Sequence, residues 1–230
     1  MKKIIIALFC YFLLGNVSAQ NKFSVGFEVF GGLSKNTLAT STGEIFWKKN
    51  YRMGIPVSYD LTEKWTLQSG LFYLNTGYRR EFSNLQWGSQ HNGEGGFDPT
   101  LPGEYDEAAL NYNFNFIDIP LTAIYNFKQS TKEKFYLKAG IAALIHTSTY
   151  IVSEVDGDSA NAVKQADPSK RYTSPNLSLQ AGFGWSHLFK NERARFFLEP
   201  RFEVLPFGYR KSAVENDRLM TFGIAAGIML

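Results

Sequence analysis

Apolar and polar side chains alternate at every second residue in stretches that recur along most of the chain. This period of two is typical of β-strands with two different faces, whereas the 3.6-residue period of amphipathic helices is rare here. Each stretch has about ten or more residues, the length that a tilted strand needs to cross the hydrocarbon layer of a membrane. The pattern therefore predicts an all-β protein with eight strands, at residues 22–33, 51–60, 64–77, 112–127, 134–147, 176–188, 195–207 and 218–230.

The connections between these strands alternate regularly in length. The short ones are residues 61–63, 128–133 and 189–194, and the long ones are residues 34–50, 78–111, 148–175 and 208–217. Short turns on one side and long loops on the other are typical of antiparallel up-and-down barrels in outer membranes. A soluble sandwich with Greek-key connections has no reason to alternate in this way. We therefore expect one transmembrane β-barrel domain.

The two faces of the predicted strands differ in size and polarity. In the first strand Phe23, Val25 and Phe27 share one face, while Ser24 and Glu28 share the other with glycines. A water-soluble barrel would place such apolar residues inside, but the small or polar face has few bulky side chains with which to fill an interior. The apolar face is therefore expected to contact lipid, and the polar face to line the lumen.

Aromatic residues of the apolar face cluster where strands meet the short turns. Amphipathic rings are enriched at the headgroup level of membranes, so we expect a girdle on the periplasmic side. Its predicted members are Phe23, Tyr59, Trp65, Phe127, Phe135, Trp185 and Phe196.

Prolines are disfavoured in strand interiors because they cannot donate a ladder hydrogen bond. We therefore expect a β-bulge or a missing ladder hydrogen bond at each proline within a strand. These are Pro56, Pro120, Pro200 and Pro206.

The first nineteen residues have the organisation of a secretory signal peptide. Lys2 and Lys3 precede an apolar run, and small residues at 17–19 form a cleavage site. We expect residues 1–19 to be removed and residues 20–230 to form the barrel.

Removal of the leader changes the charge balance. The loss of two lysines lowers the number of basic side chains from 24 to 22 against 21 acidic ones, so the formal net charge falls from +3 to +1. This balance argues against a nucleic-acid partner. The single cysteine, Cys10, lies in the leader, so the barrel has no thiol.

Several strand sequences resemble the PorT-like, or porin-family, eight-stranded outer-membrane barrels of Bacteroidetes-type bacteria. The resemblance covers nearly all of residues 20–230 and includes the Ile119-Pro120-Leu121 step. It is carried by SVGFEVFGGLS, LQSGLFYLNTGYRRE, NFIDIPLTAIYNF, KFYLKAGIAALI and NLSLQAGFGWSHLF. The resemblance implies export to the outer membrane and eight antiparallel strands. It supplies no shared catalytic residues that could be carried over.

The predicted lumen carries four acids and three bases. They are Glu28, Arg52, Asp118, Lys138, Glu199, Arg201 and Glu203. An eight-stranded barrel is just wide enough for side chains to fill it, and charges buried there must be paired. We therefore expect a polar plug that neutralises itself. The alternative is a narrow solute conduit or a small-ligand site in which Arg52 or Arg201 changes partners.

The sequence offers little catalytic chemistry. His146 and Ser148 have the spacing found in outer-membrane lipid A deacylases, with Glu154 as a conceivable third member, but His146 is expected to point into the lumen. Neither His91 nor His187 has metal-ligand neighbours at a suitable spacing. The Asp156-Gly157-Asp158 fragment lacks most of a calcium loop. The sequence therefore predicts no enzyme, cofactor or metal site.

The long loops are the expected functional surface, because loops on a rigid scaffold commonly carry binding sites. Residues 78–111 include Trp87, Phe97 and Tyr105, which could contact a partner or pack on their own loop. We expect outer-membrane lipid and envelope or secretion-complex proteins as partners. A structural or interaction role is favoured. The alternatives are an accessory role in type IX protein secretion, a lipid A deacylase and a narrow solute channel.

Overall fold

A computed structural model describes most of the predicted barrel. The described residues are 22–37, 43–87, 104–130, 132–155, 158–159, 163–164, 174–189, 194–207 and 218–230. The predicted signal peptide, His91, Phe97 and Asp156 lie outside these residues. No helix in the described part of the chain is long and apolar enough to cross a membrane.

Eight long strands dominate the structure. They are β1 (Phe23–Asn36), β2 (Lys48–Asp60), β3 (Trp65–Trp87), β4 (Glu104–Gln129), β5 (Glu133–Val155), β6 (Asn176–Leu188), β7 (Arg195–Val204) and β8 (Leu219–Met229). Three short strands lie in the long connections, at Glu44–Phe46, Asp158–Ser159 and Val163–Lys164. The short turns gather at one end of the sheet, here called the short-turn end. The opposite end is called the long-connection end.

Each long strand pairs antiparallel with its neighbours in sequence, and β1 also pairs with β8. Phe27 lies opposite Ile228 and Leu33 opposite Phe222 in this closing ladder. The sheet is therefore a closed eight-stranded up-and-down barrel, and the predicted fold class is confirmed.

The two faces of the barrel differ as the alternation predicted. Leu71, Leu121 and Phe222 point outward with 58%, 50% and 56% of their surface exposed. The alternate residues of the strands point inward and are buried, as Glu28 and Arg52 are at 0% and 2%. An extensive apolar coat on the outside cannot be explained by burial within the chain. It is the surface that a hydrocarbon layer would cover.

The strand bounds agree best where the strand lies within the apolar coat. The β6 bounds match the prediction, but β3, β4 and β5 extend well beyond it at the long-connection end. The interpretation of residues 78–111 as one loop was wrong, because 78–87 and 104–111 form a paired extension of β3 and β4. Trp87 and Tyr105 are therefore strand residues. Outside a membrane both faces of a strand can be polar, so the apolar alternation ends before the strand does.

Three of the four predicted strand prolines interrupt one ladder each. The β1–β2 ladder skips the residues opposite Pro56, the β3–β4 ladder those opposite Pro120, and the β6–β7 ladder those opposite Pro200. Pairing continues on the other side of each proline, for example between Pro56 and Gly70. The missing amide is therefore accommodated by local gaps. Pro206 lies beyond the end of β7, so its placement in a strand was wrong.

Candidate functional site

The seven charged residues predicted for the lumen all point inward and are buried. Their exposed fraction is 5% or less for each of Glu28, Arg52, Asp118, Lys138, Glu199, Arg201 and Glu203. They come from β1, β2, β4, β5 and β7, so the barrel brings together residues from five of its eight strands. The cluster spans the lumen.

Arg201 is the centre of this charged cluster. Its Nη1 donates to Oε1 of Glu28 at 2.7 Å, and its Nε donates to Oε1 of Glu199 at 2.6 Å. Lys138 lies with Nζ 3.5 Å from the other oxygen of Glu199, which also accepts from the hydroxyl of Tyr136. Two carboxylates thus share one guanidinium, an arrangement that offsets part of the desolvation cost of each charge.

Arg52 forms the second centre. Its Nε lies 2.7 Å from Oδ2 of Asp118, and its Nη1 lies 3.6 Å from Oε1 of Glu28. The guanidinium also lies over the ring of Phe72, with Cζ 3.8 Å from the ring centroid. Such a cation–π contact strengthens when water is excluded, as it is here. Glu28 therefore links the two arginines into one network.

Glu203 lies at the margin of the network. Its Oε1 accepts from Nε2 of Gln180 at 2.6 Å and from the hydroxyl of Ser178 at 3.4 Å. Among the described residues no ion pair joins Glu203 to a base. The carboxylate of Glu203 thus accepts from neutral donors. The expected pairing of every lumen charge with an opposite charge does not include Glu203.

The lumen also contains an aromatic and aliphatic cluster next to the charges, toward the long-connection end. Its members are almost fully buried, and they are Leu74, Tyr78, Tyr112, Phe114, Phe116, Leu144, Leu205 and Leu219. The rings of Tyr78 and Tyr112 stack with centroids 4.6 Å apart. The expectation of an inner face without bulky residues was therefore wrong. The signal was present in the sequence, because Phe114 and Phe116 have the same strand parity as Asp118.

The short-turn end of the lumen is more open and polar. Gln68 donates to Ser58 at 3.1 Å, and Arg195 donates to Ser186 at 3.2 Å. A shallow, open pocket of about 460 Å³ lies beside the first short turn, lined by Lys22, Asp60, Leu61, Thr62, Glu63 and Lys134. Along the lumen, polar residues at the short-turn end are thus followed by the buried charges and then by the apolar cluster.

The residues weighed for catalysis have other partners. Nε2 of His146 lies 2.7 Å from the hydroxyl of Thr149, while the hydroxyl of Ser148 accepts from Asn115 at 2.8 Å. The two oxygens of Glu154 accept from Arg79 and Asn111. Each of the three side chains thus bonds to a residue outside the set, and Ser148 and Glu154 lie six residues apart on one strand, about 20 Å. His187 lies 3.7 Å from Glu133, and the described residues contain no group of three potential metal ligands.

The aromatic residues predicted for a girdle lie on the outer face near the short turns. Phe23 packs on Tyr59 with ring centroids 4.7 Å apart, and Trp65 packs on Tyr125 at 4.9 Å. Phe127 contacts Phe183, Trp185 contacts Phe196, and Phe135 lies near Nζ of Lys128. The placement is compatible with a membrane interface, and that role stays a prediction.

Beyond the apolar coat, β3, β4 and β5 continue as a sheet at the long-connection end. Arg79 connects two of these strands, because it donates to Glu81 and to Glu154, each at 2.6 Å. The hydrogen bonds that Arg79 donates to Glu81 and Glu154, together with the negative charges of these two carboxylates, raise the pKa of Arg79. The short strand Glu44–Phe46 pairs with residues 79–81 and extends the sheet.

Sequence comparison identifies the family. Residues 18–207 match the family described as the outer membrane protein beta-barrel domain, so the chain belongs to that family. The family and the fold together place the protein in the bacterial outer membrane. No curated protein sequence matches the chain.

Solved structures with a similar fold are also outer-membrane barrels. Neisserial surface protein A is 14% identical with a TM-score of 0.45, over 90% of this chain and 96% of that one. Ail of Yersinia pestis is 10% identical with a TM-score of 0.38, over 91% and 99% of the two chains. The N-terminal barrel of Pseudomonas aeruginosa OprF is 17% identical with a TM-score of 0.37, over 92% and 100%. None of these findings assigns the PorT-like subgroup, which stays a prediction.

Proposed function

We propose that this protein is a structural or interaction component of the outer membrane, with a closed lumen and a binding surface at the long-connection end. The observation that carries the proposal is the filled lumen. Buried ion pairs around Arg201 and the aromatic cluster around Phe114 occupy successive levels of the barrel. A solute could cross the barrel only if both the ion pairs and the aromatic cluster were displaced.

The extended sheet is the part of the molecule best suited to meet a partner. In outer-membrane barrels the long connections face the exterior, so β3, β4 and β5 would project from the cell surface. The Arg79–Glu154 ion pair and the hydrogen bond from Asn111 to Glu154 tie these strands together. A surface held in one conformation loses little entropy when it binds.

An enzymatic role has less support. His146, Ser148 and Glu154 bond to Thr149, Asn115 and Arg79, and Glu154 lies six residues from Ser148 on the same strand, so a catalytic triad would require a different arrangement. The type IX secretion role rests on the sequence resemblance alone. The identity of a captured partner would test it.

A shortened hairpin tests the proposed surface. Glu81 and Ala109 are paired, so an Asn-Gly turn can join them in place of residues 82–108. We expect the variant to insert and to keep the different gel mobilities of unheated and boiled protein. A photo-crosslinking residue at Glu81 in the full-length hairpin should capture a defined envelope protein in cells, and the shortened variant should lose binding to that protein.

The matched control places the same crosslinking residue at Leu137, which is 52% exposed on the apolar coat. It should label lipid and not the protein partner. Equal binding of the partner to the shortened and full-length proteins would contradict a role for residues 82–108, the outer part of the extended sheet and its connection.

A further inference from the structure

The apolar coat has a gap at Gly31 on β1. A methyl group added at Gly31 would meet no heavy atom within 4 Å, so the space outside this glycine is open. Tyr51 and Ile224 lie opposite Gly31 on the two neighbouring strands, and both side chains are about half exposed. Neighbouring strands are about 4.8 Å apart, so the side chains of Tyr51 and Ile224 leave the sheet roughly 10 Å apart from each other. The gap is wide enough for one hydrocarbon chain.

Two lysines lie on the same face, toward the long-connection end. Lys35 is four residues beyond Gly31, about 13 Å along the strand. Lys49 lies opposite Leu33, which makes it the diagonal neighbour of Lys35, with Cα atoms about 7–8 Å apart. Neither lysine forms an ion pair within the part of the chain that the structure describes. Two ammonium groups at this spacing can both reach one phosphate group.

Two other basic residues at this end of the described barrel are engaged elsewhere. On the β3–β5 side, Arg79 is paired with two carboxylates. The ammonium group of Lys48 donates to Asn113 at 2.6 Å and is therefore occupied. Phe46 and Trp47, which are 39% and 43% exposed, lie near the two lysines in sequence. Aromatic side chains of this kind are favoured where hydrocarbon meets headgroups.

The height of the lysines fits the headgroup level. The outward apolar run of β1 extends from Phe23 to Leu33, ten steps of about 3.3 Å, and a tilt of about 40° reduces these 33 Å to roughly 25 Å across the membrane. That is about the height of the apolar band in such barrels. Lys35 is the next outward residue and therefore lies just beyond the hydrocarbon.

We propose that this face binds a phosphorylated glycolipid of the outer leaflet, with an acyl chain in the gap at Gly31 and a phosphate between Lys35 and Lys49. The ammonium groups would donate charge-assisted hydrogen bonds to phosphate oxygens. The gap supplies an apolar contact that a free phosphate ion could not use. A lipid with both parts is thus distinguished from a soluble anion.

Native mass spectrometry of the full-length protein in detergent, titrated with diphosphoryl lipid A, tests the site. We expect one lipid to bind to the wild-type protein. The double variant Lys35→Gln, Lys49→Gln should bind about 30-fold more weakly, because each basic side chain near an anionic headgroup contributes roughly a factor of five. Gly31→Leu fills the gap and should weaken binding about fivefold. Its added side chain meets open space, so the barrel should fold.

Matched variants at other places control for general effects. Lys64→Gln and Lys132→Gln remove exposed charges at the short-turn end, and Ala139→Leu enlarges an exposed residue elsewhere on the coat. All three should bind as the wild type does. Unchanged binding by both site variants, or equal binding of dephosphorylated lipid A, would overturn the proposal. Full displacement of the lipid by inorganic pyrophosphate would also overturn it, since it would identify a site for a free anion.

Discussion

Replacement of Arg201 with methionine is expected to lower the free energy of unfolding by about 3–5 kcal/mol, because removal of one partner leaves buried carboxylates without their charge partner. Arg201 is 2% exposed and contacts both Glu28 and Glu199 at 2.6–2.7 Å. Lys138 lies 3.5 Å from Glu199 and Arg52 3.6 Å from Glu28, so the remaining pairs compensate only in part. Urea unfolding in lipid vesicles, followed by tryptophan fluorescence, measures the loss.

Arg79→Met is the matched control for this prediction. The Arg79 side chain is 33% exposed and is paired with Glu81 and Glu154 outside the apolar coat. Exposed ion pairs contribute about 1 kcal/mol or less, so this variant should unfold nearly as the wild type does. A loss below about 1 kcal/mol for Arg201→Met would contradict the role of Arg201 as the centre of the buried network.

Phe114→Ala is expected to cost about 3–5 kcal/mol of unfolding free energy, the range for large aromatic truncations in packed interiors. Phe114 is fully buried, and its ring lies 6.2 Å from Tyr78 and 6.3 Å from Tyr112. Neighbouring strands fix these rings, so the cavity can collapse only in part. The same urea titration measures the effect.

Phe222→Ala makes the same chemical change on the outer face. Phe222 is 56% exposed, and lipid can fill the space that its ring leaves. We therefore expect only the transfer contribution of the ring, about 1.5–3 kcal/mol. If Phe114→Ala costs no more than Phe222→Ala, the aromatic cluster is not a packed plug.

Much of the fold could be predicted from local sequence because a membrane imposes a strict alternation on each strand. Wherever the outside is hydrocarbon, every second residue must be apolar, and this pattern located the eight strands. It also assigned Glu28, Arg52 and Asp118 to the lumen. The alternating lengths of the connections indicated the topology. The interruptions opposite Pro56, Pro120 and Pro200 follow from the missing proline amide.

The remaining features depend on constraints that local alternation does not contain. The pairing of Arg201 with Glu28 joins residues 173 apart in sequence, and it depends on the register of strands across the lumen. The extension of β3 continues through Arg79, Arg80 and Glu81, where no hydrocarbon faces the strand and the alternation of apolar residues is therefore lost. The alternation predicts that Phe114 points into the lumen. It does not predict how several large rings pack together in so narrow an interior.

Conductance of the purified wild-type protein in planar lipid bilayers tests the central claim, a lumen closed by the charged and aromatic clusters, most directly. The closed lumen predicts no current steps above the baseline of protein-free bilayers after insertion. Insertion should be verified on the same preparation by the mobility difference between unheated and boiled samples. A steady ohmic conductance of the inserted wild-type protein would show a continuous water path and would contradict the account.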